Sequence, residues 1–122
     1  MTTAGGGTGG TITTHVLDTS TGHPARGMRV SLEHVVQHGE GEVIGSGVTD
    51  DDGRAKGLLG GGRTLGEGTY RLRFDTAAHF ARDGRPAFFP DVTITFQVGG
   101  EPQHYHVPLL LSPFGYTTYR GS

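Results

Sequence analysis

The chain has 122 residues, 33% of them hydrophobic, with 10 Lys and Arg against 12 Asp and Glu and no cysteine. That length suits one domain able to bury its own core, and a net charge of −2 gives no basis for a nucleic-acid or anionic-membrane partner. The absent cysteines exclude a disulfide frame and a thiolate metal site, and no apolar run reaches transmembrane length.

In chain order, the head Met1 to Gly7 has neither a basic start nor an apolar stretch, so it does not read as a secretory signal. With Gly5, Gly6, Gly7, Gly9 and Gly10, residues 1–10 predict a disordered tail ahead of one domain over 11–122. Lack of a targeting segment and of cysteine makes the cytoplasm the expected compartment. Ile12 to Asp18 is rich in Thr, Ile and Val and predicts a strand. Thr21-Gly22-His23-Pro24 reads as a turn. Met28, Val30 and Leu32 then alternate with Arg29, Ser31 and Glu33. Val43 to Thr49 is a weaker strand whose Gly45 and Gly47 suggest an edge or a bulge. After the turn Asp51-Asp52-Gly53, Tyr70, Leu72 and Phe74 alternate with Thr69, Arg71 and Arg73. Asp75 to Arg82 is the one helical segment, with a capping residue first, a basic residue last and Gly84 beyond. Val92 to Val98 and His104 to Ser112 close the series as alternating strands. Seven or eight strands with one short helix make an all-β sandwich.

Several polar residues could carry chemistry. His104 and His106 are two apart on a strand, so they leave one face with backbones roughly 7 Å apart, while Tyr105, Val107 and Leu109 point to the core. Such a pair reads as a solvated face, a metal-binding H-x-H pair or a catalytic pair. A tetrahedral metal site needs further ligands that no pattern here supplies, so neither metal nor cofactor is expected. His15 shares a strand face with Thr13 and Leu17. Arg54 follows Asp50-Asp51-Asp52-Gly53, where it could pair with those acids on the surface. Neither a phosphate loop nor a G-x-S-x-G elbow is present. Imidazole is the side chain suited to activating water near neutral pH. A neighbouring guanidinium keeps it neutral and can grip a planar, carbonyl-rich heterocycle.

The segment HYHVPLLLSP at 104–113, with YRGS at 119–122, resembles the transthyretin-related 5-hydroxyisourate hydrolases of purine catabolism. THVLD at 14–18 and TDDDGR at 49–54 are similar to that family in kind and spacing, and the resemblance spans about residues 12–122. It implies the transthyretin fold: two four-stranded sheets with the helix after the fifth strand. It implies His15, Arg54, His106 and Ser122 as catalytic residues. Arg54, Tyr119, Arg120, Gly121 and Ser122 would bind substrate, with His104 in a supporting position. The implied reaction opens the six-membered ring of 5-hydroxyisourate to 2-oxo-4-hydroxy-4-carboxy-5-ureidoimidazoline. The same likeness leaves a transthyretin-type carrier of small ligands as the alternative. The implied assembly is a homotetramer, a dimer of dimers with a central channel and active sites shared between chains.

Overall fold

A computed structural model describes residues 9–60 and 62–122. Alternation of apolar and polar side chains drives two sheets face to face, because each strand hides only every second residue. The strands are β1 Thr11–Asp18, β2 His23–Pro24, β3 Arg29–Val35, β4 Gly41–Val48, β5 Arg54–Ala55, β6 Gly68–Phe74, β7 Val92–Val98, β8 His104–Ser112 and β9 Gly115–Thr118. One sheet runs β4-β3-β6-β7, antiparallel throughout. The other runs β2-β1-β8-β9, with β5 also paired to β1. The two-residue strands β2 and β5 meet different residues of β1, Leu17–Asp18 and Thr14–His15 respectively. They therefore lie end to end along one edge, and both sheets are four positions wide. The expected helix follows the sixth strand rather than the fifth, because the His23–Pro24 turn adds a short strand of its own.

Between the sheets lie Val16, Leu32, Leu72, Phe74, Leu109 and Leu111, all buried. Each such side chain contributes about 1.5–3 kcal/mol by leaving water. β4 is an edge strand, as its glycines suggested, and the β3–β4 register shifts between Leu32 and Glu33. A side chain at Gly45 would run into the Leu58 carbonyl. The helix α1, Thr76–Ala81, starts at Asp75, whose carboxylate accepts the Ala78 N–H. It docks through Asp18 at the end of β1. This buried carboxylate accepts hydrogen bonds from Ser20, from His79 Nε2 at 2.9 Å and from Arg85 at 2.9 Å.

Of the expected tail, residues 1–8 lie outside the described residues. Gly10 is part of the domain: its N–H and carbonyl bond to Leu65 at 3.0 and 2.8 Å. Among the described residues, no helix is long and apolar enough to cross a membrane.

Candidate active site

The pairing that builds the site joins the two ends of the chain. β1 lies parallel to β8 over its full length, with Thr11 opposite His104, Thr13 opposite His106 and His15 opposite Pro108. Inward residues of both strands are buried: Ile12, Thr14 and Val16 on one, Tyr105, Val107 and Leu109 on the other. Every second residue must then face outward. This puts Thr11, Thr13 and His15 beside His104 and His106 on the outer face. His15 and His106 are diagonal neighbours, with backbones about 8 Å apart by strand geometry.

Arg54 reaches this face through a built turn. Thr49 anchors the turn with its buried hydroxyl, donating to the Ala25 carbonyl at 2.7 Å and accepting from the Met28 N–H at 2.8 Å. The Asp50 carboxylate accepts the N–H groups of Asp52 and Arg54 at 2.9 and 3.0 Å. The Arg54 N–H is the main cause holding the Asp50 carboxyl below its ordinary value. Gly53 sits at φ +79°, and a Cβ there would stand 2.4 Å from the Val16 carbonyl oxygen. Only glycine meets both demands. The chain then enters β5 with Arg54 opposite His15. Among the described residues, Arg26 rather than Arg54 pairs with the acids, through Asp51 at 3.3 Å.

The C-terminal segment returns along β8. Leu109 pairs with Thr118 and His106 with Gly121, so Tyr119 and Arg120 fall opposite Pro108 and Val107. Pro108 has no N–H at a position where the ladder would need one, which breaks the pairing there. The Thr118 hydroxyl takes the Pro108 carbonyl instead at 2.8 Å, and the ladder resumes with Gly121 N–H to the His106 carbonyl at 2.8 Å. A Cβ on Gly121 would lie 2.6 Å from His106 Cδ2, so the backbone passes directly against the imidazole. Ser122 follows it, exposed. Tyr119 is exposed. Arg120 turns to the Tyr105 side: its guanidinium lies 4.6 Å from the Tyr105 ring centroid and bonds Gln103 at 2.8 Å. Arg120 thereby fastens the segment, its guanidinium also reaching the His104 carbonyl at 3.4 Å, with its side chain off the face that bears the imidazoles.

The electrostatics suit a base. His106 is held below the ordinary imidazole value, first by burial, then by the Arg54 guanidinium and by His104 and His15. Its Nδ1 contacts the Thr13 hydroxyl at 2.8 Å. Thr13 also meets His104 Nε2 at 2.9 Å, and Thr11 meets His104 Nδ1 at 2.7 Å. Nothing in the residue types of Thr11 and Thr13 marks them as imidazole partners, although the alternation Thr11, Thr13, His15 places them on the histidine's face. Among the described residues, no group of three or more His, Cys, Asp or Glu is arranged to hold a metal ion.

Residues 12–121 match the family model for the HIUase/Transthyretin family. A 5-hydroxyisourate hydrolase of Halalkalibacterium halodurans is 43% identical over 117 residues, covering 93% of this chain and 98% of the relative. The structure of Klebsiella pneumoniae 5-hydroxyisourate hydrolase superposes with TM-score 0.79 at 42% identity, covering 92% of this chain and 99% of that one. Sea bream transthyretin in complex with thyroxine superposes with TM-score 0.83 at 32% identity, covering 90% and 93%. Backbone likeness alone therefore does not separate hydrolase from carrier, whereas family membership is plain. The chain belongs to the HIUase/Transthyretin family.

Proposed function

We propose that this protein hydrolyses 5-hydroxyisourate. The observation that carries the reading is the convergence of His15, His106 and Arg54 on one outward face, in a chain similar over nearly its whole length to proteins named for that reaction. A water held by the histidines loses a proton to one of them, and its oxygen attacks the ring amide carbonyl. Arg54 stabilises the oxyanion and grips the planar substrate. The C–N bond then breaks, the proton passes to the departing nitrogen, and a carboxylate remains on the opened ring. Tyr119 and Ser122, on the segment whose Gly121 passes against the His106 ring, are proposed to contact the substrate, with Ser122 orienting it or the water.

The second reading is a carrier of small ligands, favoured by the transthyretin superposition. A face of imidazoles, hydroxyls and a guanidinium suits a polar heterocycle better than an apolar ligand. Assembly as a homotetramer in the cytoplasm belongs to the same proposal. The assembly is supported by the outer edge of β9, which has no strand partner among the described residues, and by exposed Phe88, Phe114, Tyr116 and Tyr119. The test of function is the decay of 5-hydroxyisourate with and without the protein: acceleration supports the hydrolase, and none from folded protein favours the carrier.

A further inference from the structure

Three contacts in series run along the outer face: Thr11 Oγ1 to His104 Nδ1, His104 Nε2 to Thr13 Oγ1, and Thr13 Oγ1 to His106 Nδ1, at 2.7, 2.9 and 2.8 Å. The Thr13 hydroxyl carries one proton, so it donates to one imidazole and must accept from the other. Two neutral arrangements satisfy the chain. In the first, Thr13 donates to His106 Nδ1, which leaves the His106 proton on Nε2. In the second, His106 Nδ1–H donates to Thr13, Thr13 donates to His104 Nε2, and His104 Nδ1–H donates to Thr11.

Only the second lets His106 work as a base. With Nδ1 tied to Thr13, Nε2 is the ring nitrogen left for water or substrate, and it must be bare to take a proton. After it takes one, Nδ1–H still donates to Thr13, so base and conjugate acid use the same hydrogen bonds without rearrangement. In the first arrangement Nε2 already carries its proton and Nδ1 is blocked. The nearby Arg54 cation also disfavours a proton on the free nitrogen.

We propose that Thr13 and His104 are positioning residues that lock His106 in its Nδ1–H form, leaving Nε2 bare to receive the proton of the attacking water. This rests on the hydrolase reading above. In the step, the water oxygen bonds to the amide carbon while its proton goes to His106 Nε2. That proton then leaves to the departing nitrogen as the C–N bond breaks, and the Thr13–His104 chain ends as it began. The same chain gives His104 a role that its exposure alone would not suggest.

The test combines nuclear magnetic resonance of isotope-labelled imidazole nitrogens with turnover of 5-hydroxyisourate, in wild type, Thr13→Val, Thr13→Ser and His104→Phe. Expected are an Nδ1–H signal for His106 in wild type, a shift toward the Nε2–H form in Thr13→Val and His104→Phe, and a fall in kcat of about tenfold or more in both with KM little changed. Thr13→Ser keeps the hydroxyl and should restore both readouts. A His106 Nε2–H signal in wild type overturns the proposal, as does a Thr13→Val variant with unchanged signal and kcat. If wild type turns over nothing, the hydrolase reading fails and the positioning role falls with it. An active wild type beside an unaffected Thr13→Val sinks the positioning role alone.

Discussion

At the scale of single residues, His106 carries the heaviest demand, being half-buried and close to Arg54, His104 and His15. Burial and these neighbours lower its proton affinity, so it stays neutral below the ordinary value of 6.5. A base works when unprotonated, so kcat/KM should fall on the acid side only below that value. Arg54→Gln removes one of the repelling charges, and its acid limb should move upward in a pH series, besides the loss of substrate affinity. His106→Ala should lower kcat by about 100-fold or more; an unchanged rate would remove His106 from the mechanism. Gly121 is the quieter test. An Ala there would press its Cβ on the His106 ring, so Gly121→Ala should cut kcat while leaving the urea midpoint nearly unmoved.

At the scale of elements, the strands were legible because alternation is a local signal, and each long strand was found within a few residues. His15 and Arg54 could be named as candidates from residue type and family resemblance, but their meeting depends on strand neighbours that no local pattern encodes. The parallel β1–β8 pair joins segments 93 residues apart. The turn of Arg120 away from the histidine face was hidden for the same reason, since it follows from the ladder break at Pro108 and from Tyr105 beneath the guanidinium. The turn before β5 offers a direct check. Gly53→Ala combines positive φ with contact on the Val16 carbonyl, which should cost about 2 kcal/mol in denaturant unfolding. It should also lower kcat/KM, because Arg54 is delivered by that turn. A variant equally stable and active would mean that the turn does not position Arg54.

At the scale of the whole molecule, the Asp18 cluster ties α1 to the sheet that bears the site. Burial acts to raise the Asp18 carboxyl, but hydrogen bonds from Ser20, His79 and Arg85 outweigh it, and its folded value lies well below the ordinary carboxylate range. Its stabilisation is therefore complete above the unfolded value of about 3.8 and is lost as pH falls through the lower folded one. Asp18→Asn should cost about 2–3 kcal/mol at neutral pH, and the gap to wild type should narrow only below that unfolded value. The exposed aromatics around β9 belong to this scale too, and sedimentation at micromolar concentration should give a tetramer. The most direct measurement is the decay of 5-hydroxyisourate, generated in place from urate by uricase, in the presence of chelator. The account predicts faster decay with wild type and none of that gain with His106→Ala. Decay at the uncatalysed rate with folded wild-type protein would contradict it.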